Sequence, residues 1–327
     1  MWAVHIFQAS AAPRPFGTVN GDFFGVLDTV QHAEHEKITR AALGCSADDP
    51  VPNCFESLPL DELAGKARTL SLENVSGDLG TWGAVGSPDI NEVCKSNAHC
   101  DDADFFDAPN YPQSRSQANG KFQECMMHIK GRYQQGLNAA TKLVNSAGQL
   151  DNKAIQIPDD GCDFTTDIKC VVGVCMGPGI LSHDIVVAVA GLVACCLDGF
   201  SECPIPVDAG STKCNAIAGL GRALHGFQDF YAHSNWVDAP VANPTMADPP
   251  GLNQTTIPNF LATSFGGDYN AVLEHDFSTG CYNLGGDKTP GKGDCVNRVT
   301  HHTLNKDEGE INPYSGKFKH RKIERSI

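Results

Sequence analysis

The chain has no surplus of positive charge: 24 Lys and Arg stand against 39 Asp and Glu, for a net charge of −15. A surface that coats nucleic acid is basic, so that class is excluded. Phosphate esters are still possible substrates, because bound metal would reverse the sign of the field locally. No apolar run reaches the ~18 residues that a membrane helix needs. The best stretch, Ile180 to Gly199, contains His183, Asp184 and Asp198 and reads as a buried helix. There is no Cys-x2-Cys pair, which argues against a zinc ribbon, and no Gly-x-Ser-x-Gly elbow of a serine hydrolase. Alternating strand patterns are scarce and no repeat period is visible. The expectation is a mainly α protein: one helical domain over residues 31–310 with long, disulfide-pinned loops, and no linker that would divide its 327 residues in two.

Cysteine, by contrast, is plentiful. Fourteen cysteines suit disulfides in an oxidising compartment, and with the sequons at Asn74 and Asn253 they point to a secreted glycoprotein. Cys45/Cys54, Cys94/Cys100 and Cys281/Cys295 are each spaced to close a local loop. Seven cysteines run from Cys162 to Cys214, an odd number, so Cys125 is expected to join that cluster. Adjacent Cys195 and Cys196 would then take different partners. At the N-terminus, Met1-Trp-Ala-Val-His-Ile-Phe lacks a basic segment, although Ala9-Ser10-Ala11 resembles a small-residue cleavage site. Residues 1–30 are therefore read as an extension or degenerate signal, and residues 311–327 as a solvated basic tail.

Periodicity predicts helices over His32–Leu43, over 57–73 and over Lys121–Ala147. In the last of these, Phe122, Met126, Ile129, Tyr133, Leu137, Ala140 and Val144 would share one face. Further helices are predicted at about 181–198 and 213–237, with residues 74–120, 148–179 and 239–296 forming loop-rich regions.

The densest chemistry lies in His-Gly-Phe-Gln-Asp-Phe-Tyr-Ala-His-Ser-Asn-Trp, residues 225–236. His225, Asp229 and His233 are spaced i, i+4, i+8 and fall within about 80° of arc on a helix. Imidazole nitrogen and carboxylate oxygen suit zinc. The competing reading is two buried histidines bridged by an aspartate. Asn235 and Trp236, just beyond, are read as capping and packing the helix end, and Phe105-Phe106 as core. The loops contain further ligand types: Asp89, then His99-Cys-Asp101-Asp102-Ala-Asp104, then His301-His302-Thr-Leu-Asn305-Lys306-Asp307. His32 and His35 share a face of the first helix.

The order His35, Asp89, His99, His225-x3-Asp229-x3-His233, His302, Asp307 resembles the zinc-dependent phospholipase C and single-strand nuclease superfamily. The segments HEKITRAAL, HCDDADFFD, ALHGFQDFYAHSNWVD and LNKD look most like the fungal Het-C heterokaryon-incompatibility proteins and the phospholipase-like region of certain von Willebrand-A proteins. The resemblance implies a phospholipase C/nuclease-like helical domain holding two or three zinc ions. His225, Asp229 and His233 would be ligands from the central helix and His35 from the first. Asp89 and His99 would come from the long loop, with Asp101 as the alternative carboxylate. His302 and Asp307 would complete the set, with His301 in reserve. Asp89 would also act in catalysis, and Asn305 and Lys306 would support the centre or contact substrate phosphate.

Such a centre activates water for in-line attack on phosphorus, with a phosphodiester or phospholipid as substrate and membrane contact through that substrate. The chain departs from the lytic relatives, which use a mature N-terminal Trp as a ligand, whereas Trp2 follows Met1. Three functions are therefore carried forward. They are a secreted zinc phosphodiesterase, a Het-C-like recognition or structural protein that keeps the fold without the activity, and a single-strand nuclease.

Overall fold

The computed structural model describes residues 20–23, 27–32, 34–45, 54–65, 83–92, 95–159, 161–162, 164, 211–255, 258, 270, 272, 276–282, 295–306, 310–311 and 318–319. Its elements in chain order are β1 (Asn20–Phe23), β2 (Leu27–His32), α1 (Glu34–Leu43), α2 (Ser57–Ala64), α3 (Gly83–Gly86), α4 (Pro88–Asn91), α5 (Arg115–Ala140), α6 (Thr212–Ala232), α7 (His301–Leu304), β3 (Glu310–Ile311) and β4 (Phe318–Lys319). Helix dominates, as expected. The strands form two small antiparallel pairs: Asn20 lies opposite His32 in one, and Glu310 opposite Lys319 in the other. His32 therefore belongs to β2 and not to the first helix.

Several boundaries differ from the periodic reading: α5 ends at Ala140, before the expected Ala147, α6 ends at Ala232, before the expected residue 237, and two others differ for local reasons. Helix α2 stops at Ala64, where Gly65 takes φ 68°; residues 66–73 of the expected helix lie outside the described residues. Helix α5 starts at Arg115, six residues before Lys121, because Ser114 and Gln117 form a capping box. The Gln117 N–H donates to Ser114 Oγ (3.2 Å), and the Ser114 N–H donates to Gln117 Oε1 (2.9 Å). The start of α6 is capped in the same sense, with the Cys214 N–H donating to Ser211 Oγ at 3.2 Å.

Helices α5 and α6 form the spine. Phe122, Met126 and Ile129 of α5 pack with Phe230, Tyr231, Trp236 and Phe277 in one buried cluster, where each large apolar side chain contributes about 1.5–3 kcal/mol. Tyr133, Leu137 and Val144, expected on the same buried face, are exposed. Beyond Ile129 the two helices meet backbone to backbone: a Cβ on Gly136 would stand 2.8 Å from the Leu220 amide, and one on Gly219 would strike Gly136. Large side chains have no room at that crossing. On the other side of α6, Leu63, Ala84, Phe164, Ile217 and Ala218 form a second cluster.

Four disulfides lie among the described residues: Cys45–Cys54, Cys100–Cys125, Cys162–Cys214 and Cys281–Cys295. They fit an oxidising compartment. Cys100 pairs with Cys125, not with Cys94, because the loop that carries it lies against the middle of α5. No helix among the described residues is long and apolar enough to cross a membrane. Ile180–Gly199, the adjacent Cys195 and Cys196, and the sequon at Asn74 lie outside the described residues. Asn253 is exposed and has a left-handed backbone (φ 50°).

Candidate metal centre

Asp229, in the last turns of α6, is buried at the middle of a set of imidazoles. Its Oδ2 is 2.9 Å from His225 Nε2 and 3.0 Å from His99 Nδ1. Its Oδ1 approaches His35 Nε2 at 3.2 Å and His233 Nε2 at 3.8 Å. Asp89, at the start of α4, brings Oδ1 to 3.5 Å from His225 Nε2 and 3.8 Å from His99 Nδ1. On the far side, Asp101 Oδ1 accepts from His301 Nδ1 at 2.9 Å and lies 3.4 Å from His233 Nδ1. Three groups have ligand atoms close enough to share an ion: His35/Asp89/His225, His99/His225/Asp229 and Asp101/His233/His301.

These placements refine the spacing argument. His225 and His233 share a helix face, but eight residues at ~1.5 Å rise separate them by about 12 Å along the axis. They belong to different groups, with Asp229 between them, and His233 sits just past the helix at its C-cap. Asp89 and Asp101, read as alternatives, occupy different groups. From the C-terminal segment the structure brings in His301. His302, about 100° further round α7, is absent from all three groups, and Asp307 lies outside the described residues. Lys306 does not face a substrate site. Its buried ammonium donates to the carbonyls of Ala232 (3.3 Å), Ser234 (2.8 Å) and Leu304 (3.0 Å) and pairs with Asp238, closing the C-terminus of α6. Asn235 bonds to Pro250, Asp276 and Ser278 in the same corner, and Trp236 is core.

The outer nitrogens of three histidines are fixed. His35 Nδ1–H donates to Gln228 Oε1 (2.7 Å), His225 Nδ1–H to the Val85 carbonyl (2.9 Å) and His233 Nδ1–H to the His99 carbonyl (2.9 Å). Each neutral ring therefore presents an Nε2 lone pair toward Asp229, as metal-bound histidines do. Gln228 is itself held, donating to Thr39 Oγ1 at 3.0 Å. Spacing gave no signal for Gln228, since glutamine is not a ligand type. Gln228→Leu is expected to free the His35 ring and lower metal affinity about 10–100-fold, read by competition with a chromogenic chelator. Unchanged affinity would remove Gln228 from the site.

Two buried carboxylates, Asp101 and Asp229, and the partly exposed Asp89 meet five imidazoles here, with no Lys or Arg among the grouped residues. Burial opposes ionisation of Asp229, but His225, His233 and His35 hold its carboxyl well below the usual range. Asp101 is held down in the same way, by His301 and His233 against its burial. Burial and His225 oppose protonation of His35, yet Asp229 raises it; His99 is raised against burial by Asp229 and Asp89. Asp102, next in the loop, is pushed up to about 6 by burial and the charge of Asp101.

Asp229 Oδ1, Asp89 Oδ2 and His99 Nε2 are buried without a hydrogen-bond partner. Native interiors leave few such atoms, and a divalent ion among these N and O donors would account for them. A fourth group, Asp102/Asp104/Cys281, does not qualify. Cys281 is in a disulfide, and Arg298 binds Asp104 through both nitrogens, at 2.5 and 3.0 Å. In comparisons with known proteins, no family model, no curated protein and no solved structure matches the chain.

Proposed function

We propose that the chain is a secreted, zinc-dependent phosphodiesterase of the phospholipase C type, in keeping with the superfamily resemblance of its motifs. The observation that carries this reading is the anchoring of three histidines through Nδ1, which turns their Nε2 atoms inward around one carboxylate. Nitrogen and carboxylate donors together favour zinc over the hard, all-oxygen cations. Four disulfides and an exposed sequon at Asn253 support secretion.

His35, Asp89, His99, His225 and Asp229 would hold one part of the centre, and Asp101, His233 and His301 the other. Zinc held there supplies a Lewis acid for the phosphoryl oxygens and brings the pKa of water toward neutrality. Asp89 marks the open side, its side chain 25% exposed while Asp229 is 1% exposed. It can take a proton from attacking water or orient it, which is the catalytic role its position suits. The buried histidines keep the donor set fixed and dry.

The test is elemental analysis of protein secreted in oxidised form, followed by hydrolysis of p-nitrophenyl phosphocholine. Roughly two zinc ions per chain with hydrolysis that a chelator abolishes is the expected result. Zinc without hydrolysis would replace this reading with that of a Het-C-like recognition protein. Cleavage of single-stranded DNA alone would make it a nuclease, and protein free of zinc would sink both enzymatic readings and leave the recognition or structural one.

A further inference from the structure

We infer that the Cys100–Cys125 disulfide is a positioning element of the metal centre, holding His99 and Asp101 toward two different ligand groups. The inference rests on the metal-binding reading above. Cys100 is the residue between those two ligands. On one side of it, His99 meets Asp229; on the other, Asp101 meets His301 and His233. For ligands two residues apart to serve opposite directions, the chain must turn sharply. It does so with Cys100 at φ 55° and Asp102 at φ 65°. Neither is glycine, and side chains keep left-handed backbone only where the surroundings impose it.

Polar ties hold the loop on both sides of Cys100: the His99 amide donates to the Ser96 carbonyl (3.2 Å), the His99 carbonyl accepts from His233, the Asp102 carbonyl accepts from Gln113, and the Ala103 amide donates to Thr279 Oγ1 (2.9 Å). The Asp101 amide donates to the Ser96 carbonyl (2.9 Å) and the Asp102 amide to the Gly280 carbonyl (2.8 Å). The disulfide adds a covalent tie to the middle of α5, where Cys100 and Cys125 are both buried. On the opposite side the loop rests on α6. Cys100 Sγ is 3.5 Å from the Gly226 carbonyl, and a Cβ on Gly226 would stand 3.0 Å from the Ala98 carbonyl. The loop is thus pinned between the two spine helices at the one residue of His99–Asp101 that is not a ligand. Cys45–Cys54, whose Cys45 is exposed and whose cysteines flank no grouped residue in sequence, serves as the control.

The experiment uses the full chain and measures zinc affinity by chelator competition, beside the thermal midpoint of the metal-free protein. The main variant is Cys100→Ala/Cys125→Ala, which also removes the thiols that could themselves bind zinc. It is expected to lose at least ~10-fold in zinc affinity, the scale of a lost outer support. Cys45→Ser/Cys54→Ser should keep wild-type affinity even if its midpoint falls as far. Cys100→Gly/Cys125→Ala, which tolerates φ 55° without restraint, should fold if the alanine pair does not and should recover part of the affinity. Wild-type affinity in either folded Cys100 variant overturns the inference while leaving the metal centre standing. Wild-type protein that binds no zinc overturns both.

Discussion

Asp229→Ala is expected to strip the chain of metal. Its carboxylate reaches both halves of the centre: Oδ2 faces His225 and His99, and Oδ1 faces His35 and His233. Losing a support behind a ligand lowers metal affinity by about 10–100-fold, so losing this carboxylate should exceed 100-fold for ions on both sides. Asp229→Asn should behave alike, since the amide keeps the shape but loses the charge that offsets crowding of the imidazoles. Asp89→Asn, at the partly exposed edge, should weaken binding less. Elemental analysis after dialysis against trace zinc reads all three variants. Full zinc content in Asp229→Ala would mean that the carboxylate belongs to a buried polar network instead.

The largest effect on stability is expected at Glu92, outside the centre. Its side chain is fully buried just after α4, the helix that carries Asp89, and its amide caps α4 by donating to the Pro88 carbonyl (2.9 Å). Arg132 of α5 binds it directly; Lys95, His128 and Arg222 of α6 stand at 3.4, 3.5 and 3.9 Å. Glu92→Leu would leave two largely buried guanidinium groups without that counter-charge, a loss of about 3–5 kcal/mol. Burial opposes ionisation of Glu92, but His128, Arg132 and Arg222 hold its carboxyl well below the ordinary glutamate value of 4.5. A depressed folded pKa stabilises the protein above the unfolded value and ceases to do so as pH falls through the folded one. The gap between wild type and variant in urea unfolding should therefore be full at pH 7 and shrink below about pH 4.5. A gap under ~1 kcal/mol, or one that stays constant into acid, would show that the cluster gives no net stabilisation.

The sequence carried the parts of this molecule that depend on direction along a helix. Apolar spacing exposed α5 and α6, and the i, i+4, i+8 pattern told that His225, Asp229 and His233 share a face. It was silent on axial level, so the division of His225 and His233 between two groups became visible only in three dimensions. The α5 stripe was half legible. Phe122, Met126 and Ile129 are core, but beyond them the crossing depends on Gly136 against Gly219, and a hydrophobic pattern does not register two absent side chains. The Glu92 cluster was invisible for another reason. Glu92, His128, Arg132 and Arg222 come from three separate segments, and nothing in their spacing pairs them. The start of α5 is legible in the sequence as Ser114-x-x-Gln117, a capping signature that carries no apolar periodicity. The charge of Lys306 suggests support of the centre or a phosphate contact; the backbone carbonyls that occupy it leave no mark in sequence.

Asp101 and His301 are 200 residues apart in the chain, and His35 and Gln228 are 193 apart. During synthesis, at about 5–20 residues per second, His35 leaves the ribosome tens of seconds before His301. No fragment that lacks His301 could hold an ion with the full donor set, so metal uptake would be a late event that reports completed long-range assembly. An ion that binds only the finished arrangement then draws the folding equilibrium toward it by mass action. In this protein the supply of metal would act as a quality check on long-range assembly, admitting to the loaded state only copies in which the segments carrying His35 and His301 have met.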